Sequence, residues 1–232
     1  MKRYACYSGT RNLYPYMEGA AKSLVDHTDV DGIFFLIEDA RFPGRLPSFV
    51  KTADVSRQKF FPLDGPNMTS GFTYMAMIRA ALCHVLPDEV DRVLCLDVDT
   101  IVKHDVGELW DLDLDGYYLA ACIEPSRSKA EKIDYVNAGV VMYNLDALRD
   151  GKADEVIADL NANRRPWVEQ DSFSMLCQGH ILEIPSIYNG CNFVKPFDGP
   201  IKITHFAGFS PWTYFAEVRQ YQEATWNDVL MG

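Results

Sequence analysis

The stretch Arg92–Val102, with the sequence RVLCLDVDTIV, constrains the fold more than any other part of the chain. It begins with a run of apolar residues, a pattern typical of a strand that is buried on both faces of a sheet. Asp97 and Asp99 follow this run. In an extended chain, residues two positions apart point the same way, so both carboxylates can converge on one cation. A solvated turn after the strand explains the pattern equally well.

The first forty residues predict a strand, a helix and a second strand. Residues 3–8 form a short apolar run, and Tyr14–His27 repeats apolar residues every three or four positions. Gly32–Glu38 is again almost wholly apolar. Because such uninterrupted strands alternate with a helix, we expect an α/β fold with a mainly parallel sheet and right-handed crossovers.

The rest of the chain predicts further elements of both kinds. Helices are expected at Thr73–Leu86, Asp146–Asn163, Glu169–Cys177 and Tyr214–Leu230. Strands are expected near Ala53–Val55 and at Tyr118–Glu124, Gly139–Asn144, Ile181–Ile184 and Ile201–Phe206.

Two segments have weaker patterns. Phe42–Pro66 is rich in proline and predicts at most a short helix besides one strand. Asp105–Asp115 includes alternating Asp and Leu, but the EF-hand pattern of Asp, Gly and a closing Glu is absent, so we interpret the segment as a solvated turn.

Length and charge limit the class of protein. The chain has 232 residues, without an evident linker or repeat, which predicts one domain over residues 1–232. Its formal net charge of −11 argues against a nucleic-acid partner, because neutralising phosphates requires clustered Lys and Arg. A small phosphate-bearing ligand remains compatible with this charge if a divalent cation mediates the contact.

The sequence also favours a protein of the cytoplasm. The N-terminus, MKRYACYSG, lacks the apolar core of a signal peptide, and no run approaches the ~18 apolar residues of a transmembrane segment. The 6 cysteines lack metal-type spacing and several lie in apolar runs. We therefore expect small buried residues in a reducing compartment, rather than a disulfide framework or a zinc site.

Four other segments carry residues that suit a binding site, and each has an ordinary structural explanation. Ser8–Asn12 lies where a nucleotide meets a doubly wound sheet, or it caps a helix. Asn137–Gly139 has small residues that let a ligand approach the backbone, or it forms a plain turn. Glu169–Asp171 precedes a helical pattern, where acidic residues are common in any case. A lone histidine such as His205 is more often a core residue whose hydrogen bonds are made within the protein.

Taken in order, these segments resemble glycosyltransferase family 8, the family of glycogenin and bacterial lipopolysaccharide galactosyltransferases. The resemblance runs from about Tyr4 to Trp212, on the blocks LCLDVDTIV, VNAGVVMYNL, EQDSF and THFAGFSPW. The stretches SGFTYMAMIRAALCHVLP and IPSIYN agree with it. It implies a single GT-A domain, with a Rossmann-like, mainly parallel sheet flanked by helices. The nucleotide would bind within about residues 1–125 and the acceptor within about residues 126–232.

The resemblance also implies an activity and a donor. The enzyme would move a hexose from a UDP-sugar to a hydroxyl group of a glycan or related acceptor. Asp97, Asp99 and His205 would bind Mn²⁺ or Mg²⁺, and oxygen ligands with one imidazole suit manganese. Donor-binding residues carried over from the family are Ser8, Thr10, Asn12, Tyr14, Arg79, Val98, Glu124, Asn137, Ala138, Gly139 and Gly208.

The catalytic residues implied by the resemblance are Glu169, Gln170 and Asp171, with Gln170 beneath the anomeric carbon. Family members retain the anomeric configuration, and an amide is a poor nucleophile. We therefore expect the acceptor hydroxyl to attack from the same face as the departing UDP, with Gln170 in an orienting role. Tyr14 would stack on the uridine, and Arg79 would lie near the donor sugar and phosphate.

The sequence departs from the family pattern at three positions. Glu169 and Glu124 stand where relatives commonly have Asp. Ser210 stands where the family usually has a lysine that binds the diphosphate, in a loop one residue shorter. Either the affinity for the diphosphate is then weaker, or Lys202 or another cation replaces that lysine.

Two other functions compete with this hypothesis. LCLDVDTIV also resembles the nucleophile strand of haloacid-dehalogenase-type phosphatases, with Asp97 as nucleophile and Asp99 as acid and base. That motif usually lies near the N-terminus, and the later paired aspartates are absent from this sequence. The second competitor is a module that binds sugar nucleotides or glycans without turnover, which the replacement at Ser210 makes plausible.

Overall fold

A computed structural model describes residues 2–39, 41–68, 73–208, 212 and 215–231 of the chain. Its strands are β1 (Tyr4–Ser8), β2 (Gly32–Ile37), β3 (Val50–Asp54), β4 (Arg92–Leu96), β5 (Thr100–Val102), β6 (Leu119–Ile123), β7 (Val136–Asn144), β8 (Ile181–Glu183) and β9 (Ile203–His205). Its α-helices are α1 (Tyr14–His27), α2 (Tyr74–Met77), α3 (Leu82–Val85), α4 (Pro125–Glu131), α5 (Leu145–Ala147), α6 (Ala153–Ala162), α7 (Val168–Leu176), α8 (Ala216–Glu223) and α9 (Trp226–Leu230).

Seven strands form one sheet in the order β3-β2-β1-β4-β7-β6-β8. Strands β1 to β4 run parallel to one another in this sheet, and β8 runs parallel to β6. Strand β7 runs antiparallel to both β4 and β6. The remaining strands, β5 and β9, pair antiparallel in a separate two-stranded sheet. The expectation of an α/β fold with a mainly parallel sheet is confirmed.

The apolar strands fill the core on both faces of the sheet. In β4, Val93 and Cys95 pack into one cluster, whereas Leu94 and Leu96 pack into the other, because side chains alternate along a strand. Helices α6 and α7 supply residues to the first cluster, and α1 supplies residues to the second. The central strand is therefore apolar on both sides until it reaches Asp97.

Three predicted helices are interrupted. The segment 73–86 is α2, a 3₁₀ turn at Ile78–Ala81 and α3, and the backbone of Ala81 departs from helical angles. The segment 146–163 is broken where Gly151 takes a positive φ of 99°. The closing segment divides at Ala224, and Thr225 caps α9 through a capping box with Asp228. Apolar periodicity alone does not distinguish one long helix from two short ones in line.

The interpretation of Asp105–Asp115 as a solvated turn was wrong. A 3₁₀ helix spans Gly107–Asp111, and the side chains of Leu109, Trp110 and Leu114 are buried. The indole Nε1 of Trp110 donates a hydrogen bond to the backbone oxygen of Tyr4 at 3.0 Å. Trp110 thus anchors this segment to β1.

The predicted strand near Ala53 is β3, and the prediction of at most one short helix in the same region agrees with the described residues, which form none there. Within the described parts of 42–66, the chain forms turns and bends besides β3. Its prolines and glycines favour such turns over a helix, since they interrupt helical hydrogen bonding.

We expect Trp110→Ala to reduce the free energy of unfolding by about 3–5 kcal/mol, because it removes a fully buried indole and its hydrogen bond. Urea unfolding measures this change. The neighbouring Asp111 is exposed, so Asp111→Ala serves as a control with an expected effect within about 0.5 kcal/mol. Equal, small effects of both substitutions would support a solvated turn instead.

Candidate active site

Asp97 and Asp99 lie directly after the central strand β4. The backbone NH of Asp97 donates to the Gly139 oxygen of β7 at 2.8 Å. Both the backbone NH and the hydroxyl of Thr100 donate to the Asp97 oxygen, which closes a turn over residues 97–100. The two carboxylates therefore converge through a turn. The extended chain assumed from their spacing is not what brings them together.

Pairing of β5 with β9 brings His205 to the two aspartates, since Thr100 lies opposite His205 in the register. The His205 Nε2 atom lies 3.4 Å from Asp97 Oδ2 and 3.4 Å from Asp99 Oδ1. One ligand atom from each of these three residues lies within 4.8 Å of the others. The three side chains predicted to bind a metal therefore meet in the fold.

Asn189 fixes the orientation of the His205 ring. Its Oδ1 lies 2.8 Å from His205 Nδ1, and its Nδ2 donates to Asn137 Oδ1 at 2.8 Å. With Nδ1 as the donor, Nε2 is directed towards the aspartates, an arrangement common around metal-binding histidines. Gly139 leaves room for the ring, because a Cβ atom there would lie 2.1 Å from His205 Cε1.

Electrostatics at this cluster favour the charged form of the Asp97 carboxylate. Burial raises the pKa of Asp97, but the charges of Arg79 and His205 outweigh it and lower this pKa to about 2. Burial lowers the pKa of His205, whereas Asp99 and hydrogen bonds with both aspartates raise it well above its usual value. Two carboxylates and one imidazole provide a donor set that fits a divalent transition metal.

Arg79 links Asp97, which follows strand β4, to helix α7 and strand β7. Its guanidinium lies 2.8 Å from Asp97 Oδ1 and 3.3 Å from Glu169 Oε1, and it donates to the Ala138 oxygen at 2.7 Å. Burial raises the pKa of Glu169 to about 7, against the lowering effect of Arg79. The second carboxylate oxygen of Glu169, Oε2, has no hydrogen-bond partner in the part of the chain that the structure describes.

Gln170 is held by strand β7 and its neighbours. Its Oε1 accepts a hydrogen bond from the Ala138 backbone NH at 2.8 Å. Its Nε2 donates to the Tyr135 hydroxyl at 3.3 Å and to Glu124 Oε1 at 3.5 Å. The amide oxygen, which would have to act in any nucleophilic role, is therefore already engaged.

These groups surround a cavity of about 550 Å³. Of the residues predicted for the site, the following line it: Arg79, Asp97, Asp99, Glu124, Asn137, Ala138, Gly139, Glu169, Gln170, His205 and Gly208. The cavity contains carboxylates, amides and one buried guanidinium, together with apolar walls, as is common for small-molecule sites.

Asp171, predicted as catalytic, does not line the cavity. Its carboxylate accepts hydrogen bonds from the Tyr135 hydroxyl and, at 2.9 Å, from the Trp167 backbone NH. Arg127 approaches the same carboxylate at 3.8 Å. In this structure Asp171 therefore holds the segment that precedes Glu169 and Gln170.

The predicted nucleotide-binding residues Ser8, Thr10, Asn12 and Val98 lie beside the cavity rather than on its walls. Parallel pairing of β1 with β4 places the loop after Ser8 at the same sheet edge as Asp97. Within this loop, the Thr10 hydroxyl donates to Asn12 Oδ1. Val98 is largely buried, between the two aspartates.

Tyr14 differs from its predicted role. Its side chain is buried, and its ring stacks on Phe42 with centroids 4.9 Å apart. Its hydroxyl accepts a hydrogen bond from the Glu38 backbone NH at 3.0 Å. A uridine could stack on this ring only if Phe42 moved, so the structure assigns Tyr14 to the core.

Lys202, one candidate to replace the family lysine, forms an ion pair with Glu108. Ser210 lies outside the described residues. Lys195 lines a second cavity of about 250 Å³, which shares Asn192 and His205 with the main cavity.

Sequence reasoning missed several residues of the site. Asn189 orients His205, and Tyr135 contacts both Gln170 and Asp171. Arg127, Trp167 and Phe193 line the cavity. Asn189 lies in IPSIYN, a stretch that resembles the family. The spacing of residues in the sequence does not mark Tyr135, Arg127, Trp167 or Phe193.

Comparison with known proteins decides the family. The family model described as "Glycosyl transferase family 8" matches residues 45–216. This chain belongs to glycosyl transferase family 8. The enzyme class expected from the sequence, a glycosyltransferase, is confirmed at the level of the family. The phosphatase hypothesis is not favoured.

Relatives and solved structures agree with the family. A putative glycosyltransferase of Haemophilus influenzae is 28% identical over 51% of this chain and 43% of its own length. Lipopolysaccharide 1,2-glucosyltransferase of Escherichia coli is 23% identical over 91% of this chain and 75% of its own. The chain thus spans less than half of the first relative.

Among solved structures, galactosyltransferase LgtC in complex with donor and acceptor sugar analogs has a TM-score of 0.74. The two sequences are 19% identical, and the structural match covers 98% of this family 8 chain and 95% of the LgtC chain. This similarity confirms the predicted GT-A fold. Among the described residues, no helix has the length and apolar character needed to cross a membrane.

We expect Gly139→Ala to abolish Mn²⁺-dependent stabilisation, because the new methyl group would displace the His205 ring. Thermal unfolding with and without Mn²⁺ and UDP measures the effect. Gly199→Ala is the matched control, since a Cβ there meets its nearest neighbour at an ordinary 3.6 Å. An unchanged metal-dependent shift in Gly139→Ala would show that the metal does not need His205 in this position.

Proposed function

We propose that this glycosyltransferase moves a hexose from a UDP-sugar to a hydroxyl group of an acceptor, with Mn²⁺ or Mg²⁺ bound by Asp97, Asp99 and His205. The observation that carries the proposal is the meeting of these three side chains at one cavity. Bound there, a divalent cation supplies positive charge for the diphosphate oxygens of the departing UDP.

The carboxylates beside the metal site suit the donor sugar. Glu169 lines the cavity, and its Oε2 has no hydrogen-bond partner among the described residues, so it can accept a hydrogen bond from a sugar hydroxyl. Glu124 accepts hydrogen bonds from Asn137 and Gln170 and retains acceptor capacity. Because Glu is one methylene longer than the usual Asp, both residues would shape the pocket for this chain's own donor.

The nucleotide would extend from the metal towards the loop Ser8–Asn12. That loop follows β1, and nucleotides in doubly wound sheets bind at the carboxyl ends of such strands. Support for UDP in particular comes from the family resemblance. Arg79 would maintain the position of Asp97 beneath the diphosphate through their ion pair.

Gln170 would orient the reacting groups rather than attack the sugar. Its Oε1 accepts from Ala138 and its Nε2 donates to Tyr135 and Glu124, so these three contacts hold the amide in one orientation at the cavity. A glycosyl centre passes through an oxocarbenium-like state, which nearby carboxylate and amide dipoles stabilise. This favours attack by the acceptor on the face that UDP leaves.

We expect UDP and UDP-sugars to raise the melting temperature only when Mn²⁺ or Mg²⁺ is present, because the acidic cluster would otherwise repel the diphosphate. We further expect metal-dependent release of UDP from at least one UDP-hexose. Asp99→Asn should lower the rate by about 100-fold or more, since it removes a ligand of the metal. Thermal unfolding and a UDP-release assay measure these effects.

Asp113→Asn changes an exposed carboxylate away from the cavity and should leave both measurements unchanged. UDP binding without any release or transfer over a panel of UDP-sugars would support the non-catalytic binding module. Hydrolysis of a generic aryl phosphate with Mg²⁺, without UDP release, would support the phosphatase.

A separate prediction concerns the reaction course. We expect no covalent glycosyl adduct on Glu169 or Gln170 when the enzyme is mixed with donor and quenched during turnover. Intact-protein and peptide mass spectrometry would detect one as a hexose mass on the 168–176 helix. Such an adduct, formed and consumed at the rate of turnover, would contradict attack by the acceptor itself.

A further inference from the structure

Four buried polar side chains form a continuous series of hydrogen bonds between the wall of the cavity and the metal-site histidine. His205 Nδ1 lies 2.8 Å from Asn189 Oδ1, and Asn189 Nδ2 donates to Asn137 Oδ1 at 2.8 Å. Asn137 Nδ2 in turn donates to Glu124 Oε1 at 2.7 Å. All four residues are at most 5% exposed. We call this series, from His205 to Glu124, the hydrogen-bond relay.

A backbone group sets the direction of the hydrogen-bond relay. Asn137 Oδ1 also accepts a hydrogen bond from the backbone NH of Gly139 at 3.1 Å, and a backbone NH can only donate. This identifies the oxygen of the Asn137 amide, so its nitrogen faces the Glu124 carboxylate. Asn189 must then turn its own nitrogen to Asn137 and its oxygen to His205. Because that oxygen requires a donor opposite it, Nδ1 of His205 carries a proton.

The proton on Nδ1 decides which ring nitrogen is left for a cation. With Nδ1 donating to Asn189, Nε2 is the nitrogen that faces Asp97 and Asp99, at 3.4 Å from an oxygen of each. Groups that hydrogen-bond to metal-binding histidines fix the ring and raise its basicity, and their loss weakens metal binding about 10–100-fold. Hydrogen bonds in series polarise one another, and the last acceptor of this series is a carboxylate. That carboxylate therefore supports the ring through two amides.

The two ends of the hydrogen-bond relay lie on different elements. Glu124 directly follows strand β6 and precedes helix α4, whereas His205 ends β9 in the second sheet. The same Oε1 atom of Glu124 also accepts from Gln170 Nε2 at 3.5 Å. A residue that the family resemblance assigns to the donor is thus connected to the metal site through the protein interior.

We propose that Glu124 is a positioning residue for the metal site, because its carboxylate is the terminal acceptor of the relay that holds a proton on His205 Nδ1 and leaves Nε2 for the cation. The inference rests on the proposed metal site and adds to it a residue outside the cluster of Asp97, Asp99 and His205. Metal affinity then depends on Glu124 even when no donor sugar is present.

Binding of Mn²⁺ alone, without nucleotide or sugar, tests the role of Glu124 by isothermal titration calorimetry. We expect Glu124→Leu, which removes the acceptor, to raise the Kd for Mn²⁺ by about tenfold or more. Glu124→Gln keeps an acceptor oxygen on a side chain of the same length and should stay within about threefold of the parent. Equal losses in both variants would assign the effect to charge alone and overturn the relay. An unchanged Kd in Glu124→Leu would overturn it as well.

Asn189→Leu breaks the hydrogen-bond relay at its centre, at a fully buried residue outside the wall of the cavity. It should weaken Mn²⁺ binding at least as much as Glu124→Leu, and the double variant should lose less than about twofold more, since both changes interrupt one series. Losses that multiply in the double variant would contradict the relay. Glu183→Leu is the control, because Glu183 is an exposed carboxylate on β8 and should leave the Kd unchanged.

NMR of the metal-free parent tests the hydrogen-bond relay even where a variant fails to fold. The chain has 5 histidines, and the His205 ring is assigned by its absence from the spectrum of His205→Gln. We expect long-range ¹H–¹⁵N spectra to show a proton on His205 Nδ1 that exchanges slowly with water, and faster exchange in Glu124→Leu. A bare Nδ1 in the parent would overturn the inference. A parent that binds no Mn²⁺ would contradict the proposed metal site itself.

Discussion

The buried guanidinium of Arg79 is the interaction on which the site depends. Asp97, Asp99, Glu124 and Glu169 all face one cavity, and such a group of carboxylates would repel one another without a cation. Burial lowers the pKa of Arg79, but Asp97 and Glu169 outweigh this and raise it well above its usual value. Removing the guanidinium would leave the buried Glu169 carboxylate without its cation and Asp97 with His205 alone, which is more costly than losing a surface ion pair. The same side chain also binds the Ala138 oxygen, so charge balance and the position of strand β7 are coupled.

Much of the fold could be predicted because its strands are apolar on both faces. Strands β1, β2 and β4 each divide their side chains between two core clusters, and this leaves an unbroken apolar signal in the sequence. Helix interruptions left no such signal. At Gly151 the break depends on a local left-handed conformation, and at Thr225 it depends on a new cap. Trp110 shows the opposite error, because the neighbouring aspartates concealed a buried indole.

The residues of the site also fall into those that the sequence could predict and those that it could not. Asp97, Asp99 and His205 could be predicted from family blocks that keep their order, and the fold brings them together. Asn189 and Tyr135 could not, since their roles arise from hydrogen bonds to residues distant in sequence. Tyr14 was assigned to the nucleotide from a loosely aligned region, and the structure shows its ring stacked inside the core. Supporting residues of this kind depend on tertiary packing, which a linear pattern does not record.

The pairing of β5 with β9 has a consequence for how the enzyme matures. Thr100 and His205 face each other in this pairing, which completes the cluster of Asp97, Asp99 and His205. The two paired residues are about a hundred positions apart in the chain. Contacts between such distant segments form late, since closing a long loop must precede them. During synthesis the two aspartates would therefore emerge well before their imidazole partner. Tight metal uptake would then coincide with the arrival of β9, so that a bound cation marks a chain whose last core strand is in place.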